Sequence, residues 1–228
     1  MFSRFIRPAI AALAFAAGPA MATTTLDVSA PNLFANGGSD VTISYAPTSL
    51  SERVHAGQFN LVARDMATNV VSTVQVYCTD IFDRLIVPAT YTVGLLSDNL
   101  ANATKVGQIN ALLSHANAAV MTSAASAGLQ LAIWEVQNEA GTTAYDLGTG
   151  QFQASNTDAA TLAAAAADLA HINDASWAAA PRTVVSQLEI VGGQRLSYLT
   201  AVPEPGTMAI LGAGLLMLGL RLRLRARG

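Results

Sequence analysis

One cysteine in 228 residues, Cys78, excludes an internal disulfide framework and any metal site built on several thiolates. The three histidines, His55, His115 and His171, are far apart in the chain and suggest no ligand cluster, so neither a metal nor a cofactor is expected. Charge is scarce at 12%, aromatics at 6%, and twelve Lys+Arg against fifteen Asp+Glu give a net charge of −3, which argues against a basic nucleic-acid surface. No serine elbow, phosphate loop or calcium loop is present, and with no nucleophile–base set the chain does not read as an enzyme.

What the chain does have is asymmetric. Arg4 and Arg7 lie at one extreme and Arg221, Arg223, Arg225 and Arg227 at the other; six cations lie in the middle, where fourteen of the fifteen acids fall between Asp27 and Glu189, leaving it at −8. Residues 1–22 combine a basic start, an apolar run from Pro8 to Ala17, the helix breakers Gly18 and Pro19, and Ala20-Met21-Ala22 as a small-x-small site. That order of parts reads as a secretory signal peptide cleaved after Ala22, so the end is set aside before any fold is considered.

At the other end, Thr207 to Leu220 is an uncharged apolar run of fourteen residues, short against the ~20 that a bilayer needs. It lengthens if Arg221 and Arg223 snorkel, and the four arginines would then remain cytoplasmic with the acidic middle outside. Pro203 and Pro205 flank Glu204 and hold that stretch extended. The Pro-Glu-Pro block, apolar span and terminal Arg cluster over 202–228 resemble the PEP-CTERM sorting signal. The resemblance implies an exosortase-type membrane protease of a Gram-negative bacterium as partner, cutting near Pro203-Glu204-Pro205. It also implies a transient stay in the inner membrane, then the cell surface or extracellular matrix. The expected organisation is a signal peptide at 1–22, an extracellular domain at 23–200 and a sorting signal at 201–228.

Within the middle, Val41 to Tyr45, Gln58 to Val62, Val70 to Tyr77 and Thr90 to Leu96 alternate or are β-branched and predict strands. Thr183 to Val191 and Gln194 to Thr200 predict a hairpin turning at Gly192-Gly193. Helical spacing links Val106, Ile109, Leu112, Leu113 and Ala116, then Leu129, Ala132, Ile133 and Val136 in a helix over 123–138. Asp158 N-caps an Ala-rich third helix, expected to pack on the sheet, and His115 is expected on a solvated helix face. Between these helices, 141–157 reads as a polar loop region with one short strand at most. The predicted fold is α+β: an antiparallel β-rich domain with a central helical insertion, plus an N-terminal signal helix and a C-terminal transmembrane helix.

Two segments carry the candidate chemistry: Val76-Tyr77-Cys78-Thr79-Asp80-Ile81 at a strand end, and Leu129 to Val136 on the second helix, where Gln130 and Ile133 share a face. A lone thiol in an exported chain is open to oxidation unless it has a use. Tyr77, Cys78 and Asp80, with Gln130, Ala132, Ile133 and Trp134, resemble the Cys-Gln thioester domains of bacterial surface adhesins, over about residues 55–200. Members of that family often carry Thr before the Gln, where this chain has Leu129. The resemblance implies that Cys78 and Gln130 condense with loss of ammonia to a thioester, which a surface amine or hydroxyl then opens, and that Tyr77, Asp80 and Trp134 line its pocket. A neutral Asp80 or a backbone donor would assist the acyl oxygen. The alternative is a non-reactive structural protein of an exopolysaccharide or biofilm matrix, with Cys78 a small core residue and Gln130 a helix-surface amide.

Overall fold

Alternating burial marks four of the nine described strands. In β1 (Thr25–Ser29) Leu26 and Val28 point inward, and in β4 (Phe59–Asp65) Phe59, Leu61 and Ala63 do the same. The computed structural model describes residues 24–116, 122–177 and 183–201. The expected signal peptide and, beyond Ala201, the sorting signal with its apolar span lie outside the described residues. Among the described residues no helix is long and apolar enough to cross a membrane.

The remaining strands are β2 (Ser39–Tyr45), β3 (Leu50–Ala56), β5 (Val71–Cys78), β6 (Ala89–Leu95), β7 (Phe152–Ser155), β8 (Thr183–Glu189) and β9 (Leu196–Ala201). Six of them close into an antiparallel barrel in the order β1-β4-β5-β9-β8-β6, and β3-β2-β7 form a separate three-stranded sheet. The predicted final hairpin is β8–β9, in register from Thr183↔Ala201 to Leu188↔Leu196. Four helices are described: α1 (Leu96–Asn99), α2 (Ala103–Ala116), α3 (Ser123–Asn138) and α4 (Ala159–His171). The β-rich class with central helices therefore holds, and the sheet adds a closed barrel that strand prediction did not specify.

The second helix is more deeply buried than its predicted apolar face. In α3 eleven consecutive residues, Ser126 to Val136, are buried, so the helix is covered on every side. Thr122 caps it, its side chain accepting from the Ala125 N–H at 3.1 Å. The cap foreseen at Asp158 is present on α4, accepting from the Thr161 N–H at 2.8 Å. The expected seat of α4 on the sheet is corrected: its main neighbour is α3. Gly128 makes that approach possible, because a Cβ there would stand 2.7 Å from Ala164 Cβ and 2.8 Å from the Ala165 nitrogen. The alanines of α4 thus form a smooth face for a buried helix. His115 also departs from expectation, since its ring stacks on Trp177 at 5.0 Å.

Because the α3–α4 crossing leaves no room for a side chain, Gly128→Leu should lower unfolding free energy by about 1–3 kcal/mol through overpacking. Urea denaturation followed by circular dichroism checks this, and unchanged stability would show that α4 does not press on α3 as described.

Candidate functional site

The site begins where one strand leaves another. β4 and β5 pair from Arg64↔Val71 to Phe59↔Val76 and no further, because the chain before Phe59 turns away into β3. The turn is at Gly57, where a Cβ would lie 2.8 Å from the Gly37 carbonyl oxygen. On its other edge β5 continues against β9, with Tyr77↔Ser197 and Cys78↔Leu196, and the Thr79 N–H donates to the Arg195 oxygen at 3.0 Å. Backbone groups of successive strand residues face opposite edges. The Cys78 N–H and C=O therefore face the side that β4 has vacated.

Gln130 fills that vacancy. The Cys78 N–H donates to Gln130 Oε1 at 2.9 Å, and Gln130 Nε2 donates to the Cys78 oxygen at 2.8 Å, both buried. One turn earlier on α3, Ser126 Oγ accepts from the Gln58 N–H at 2.7 Å; two turns later, Gln137 Nε2 donates to the Thr79 oxygen. Three polar residues on one stripe of α3 thus complete two strand ends. Ser126 and Gln137 were not singled out in the sequence, although their i−4 and i+7 offsets from Gln130 place them on its face.

Cys78 is wholly buried and is the free cysteine of the chain. Its thiol donates to the Asp80 oxygen at 2.8 Å, and the Asp80 N–H lies 3.4 Å from the sulfur. Burial pushes the thiol up to about 12, against the opposing pull of the Asp80 N–H, Trp134 and Gln194. The Trp134 indole N–H is buried beside that sulfur without reaching hydrogen-bond geometry to any group. Gln194, expected to open the last strand but lying just before it, donates from Nε2 to the Asp80 oxygen at 3.0 Å, the atom that also receives the thiol proton.

Two expectations change. A neutral Asp80 gives way to an ion pair: Arg195 meets Asp80 Oδ2 from Nε at 3.1 Å and from an Nη at 2.8 Å. Arg195 also donates to Asn99, and Gln187 joins Asn99, Thr79 and Ser197 in a polar network behind the strand. The backbone donor, in contrast, is present as the Cys78 N–H itself. Tyr77 is buried, but strand alternation turns it to the face opposite Cys78, beside Gln58, where burial raises its hydroxyl pKa. Cys78, Gln130, Asp80 and Trp134 come together; Tyr77 stands behind them. Pro203, Glu204, Pro205, Ala22 and the four terminal arginines lie outside the described residues.

Next to Trp134 on α3, Glu135 is buried with Oε1 accepting from the Asp146 N–H at 2.9 Å and Oε2 unpartnered. Desolvation raises its carboxyl from 4.5 to about 7, with the Asp146 N–H opposing.

Residues 201–226 match the family model for the PEP-CTERM protein-sorting motif, which implies export and processing by an exosortase, a membrane protein. No curated protein matches the chain. Among solved structures, the chain is similar to the N-terminal thioester domain of a surface protein from Clostridium perfringens, determined as a cysteine-to-alanine mutant. Identity is 11% over 71% of this chain and 99% of that one, with a TM-score of 0.40.

Glu135 makes stability depend on pH. Its folded value stands above its unfolded one, so the folded state keeps a proton that the unfolded chain has released between about pH 4.5 and 7. Stability should fall as pH rises through that window, by roughly 2–3 kcal/mol from this group alone. Glu135→Gln should flatten the slope in denaturation midpoints measured from pH 4.5 to 7.5; an unaltered slope would contradict the assignment.

Proposed function

We propose that the chain is an exported, exosortase-sorted surface or matrix protein whose ectodomain forms a Cys78–Gln130 thioester for covalent attachment. The observation that carries the reading is the paired hydrogen bonding of the Gln130 carboxamide to the backbone of Cys78 inside a dry site. It fixes the amide beside the residue that bears the sulfur. Such positioning is worth roughly 7–11 kcal/mol of a barrier when the reacting atoms reach near-attack distance.

In the proposed reaction Sγ adds to Gln130 Cδ and the negative charge gathers on Oε1, where the Cys78 N–H is already aimed. The C–N bond then breaks, and Nε2 departs as ammonia carrying the thiol proton. No external base enters the balance, which suits a thiol pushed up to about 12 and therefore protonated at neutral pH. An arriving amine or hydroxyl attacks the same carbon, the C–S bond breaks, and the acceptor's proton goes to sulfur. The acceptor remains joined to Gln130, a single attachment without turnover. Candidate acceptors are exopolysaccharide hydroxyls or surface amines.

A second reading has an observation of its own. The Gln130 amide satisfies a strand edge, and that service alone would suit a non-reactive matrix protein. Intact mass separates the two. Freshly purified, unheated ectodomain should be lighter than its encoded sequence by one ammonia, and Cys78→Ala and Gln130→Ala should each abolish the deficit. The encoded mass in the unaltered protein would leave the structural reading.

For sorting, replacing Pro203, Glu204 and Pro205 with alanines should hold the chain in the inner-membrane fraction of an exosortase-bearing host. Unaltered release to the surface, read by fractionation and immunoblot, would refute the assigned cutting region.

A further inference from the structure

A cleft of about 440 Å³ opens between β3 and residues 81–85, and Ile43, Phe59, Ile81, Leu85, Trp134 and Gln194 line it. Two of these residues are the side chains that bear on the Cys78 sulfur from within. Gln194 is fixed by its bond to the Asp80 oxygen, which the thiol shares, and Trp134 is only 4% exposed. The floor of the cleft is therefore the roof of the thiol. β9 pairs along one backbone edge of Cys78 and Gln130 occupies the opposite one.

We infer that this cleft is the entrance through which an acceptor reaches the Cys78–Gln130 site, and that Gln194 is the gate that swings aside to admit it. The inference rests on the proposed thioester for its chemistry, although the route exists for the thiol alone. Swinging Gln194 out costs its hydrogen bond to the Asp80 oxygen, which the free thiol also serves and an acylated sulfur does not, whereas moving Trp134 would unpack α3. Glu52, Arg53, His55, Asp83 and Arg84 give the cleft a polar rim of mixed charge around its apolar floor, and the narrow place that Gln194 would vacate favours a slender nucleophile over a bulky ring. In the step itself, the amine nitrogen bonds to Gln130 Cδ, the C–S bond breaks, and a proton returns to sulfur.

The test uses two readouts on the ectodomain. In a Gln130→Glu background, which keeps the side chain's volume and its acceptor for the Cys78 N–H but has no ammonia to lose, the thiol is free whether or not the native pair condenses, and its alkylation by iodoacetamide under native conditions reports the route. Gln194→Ala should speed alkylation about tenfold and Leu85→Trp, which fills the cleft, should slow it about tenfold, with Ile81→Trp as a second plug should Leu85→Trp not fold. Alkylation rates indifferent to gate and plug would overturn the route. With Gln130 restored, the same substitutions should shift methylamine addition in the same directions, and cyclohexylamine should lag methylamine and gain most from Gln194→Ala. Equal rates for the two amines would overturn the gate. If no mass deficit exists in the unaltered protein while the alkylation rates move as expected, the attachment chemistry fails and the entrance stands.

Discussion

A carboxamide standing in for a missing strand is the contact on which this molecule depends. β5 runs two residues beyond its pairing with β4; Tyr77 faces β9, and Cys78 would bury an unpaired N–H and C=O if α3 did not supply partners. Each unsatisfied buried group costs about 1–3 kcal/mol, so the strand end and the helix stripe require one another. Ser126, Gln130 and Gln137 lock α3 in rotation and height against the barrel. Asp80–Arg195 and the Gln187 network then fix the strand from behind. The arrangement places a polar stripe inside a helix buried on every side, where Ser126 Oγ, both ends of the Gln130 amide and Gln137 Nε2 find partners and Gln137 Oε1 does not.

The same burial has two opposing effects on the proposed chemistry. Desolvation keeps the thiol protonated, which slows attack by thiolate, yet it also makes sulfur a poorer leaving group once acylated. A thioester in this site would form slowly and last long, in keeping with a protein that must cross a membrane and be sorted before it meets a partner. The absence of a second cysteine fits the same economy, since nothing within the chain competes for the sulfur by disulfide exchange.

Much of this was legible in the sequence where local pattern and tertiary role coincide. The β8–β9 hairpin, α3 and the Asp158 cap follow from alternation, spacing and side-chain chemistry, and the structure bears them out. β1 and β3 were not foreseen. β1 is five residues long, and β3 carries Ser51, Glu52, Arg53 and His55 on an exposed edge strand, so neither shows a strong apolar alternation. The pairing of Cys78 with Gln130 was reached through resemblance, not through any rule of periodicity; fifty-two residues separate them, and only the departure of β4 brings them together. Arg195 and Gln194 were invisible for a similar reason, lying in a hairpin turn whose position over Asp80 is set by barrel closure.

That closure carries the last step of the argument. β5 and β9 are neighbours only because the barrel joins an early strand to the final one, so the carboxylate partner and the gate reach the thiol after residues 183–201 have docked. The helix that brings Gln130 draws its main contacts from α4, a near neighbour in sequence, and contacts of short sequence separation tend to form earlier. Sulfur and amide could therefore meet before the polar network behind them is complete, but the dry, braced geometry needs the last hairpin. In the proposed reaction, bond formation is thereby coupled to completion of the fold: a partly folded chain has the two reactive groups without the enclosure that would protect the product from water. The C-terminal strand of the barrel leads directly into the sorting segment, so the element that seals the site is also the one adjoining the part that the membrane machinery handles.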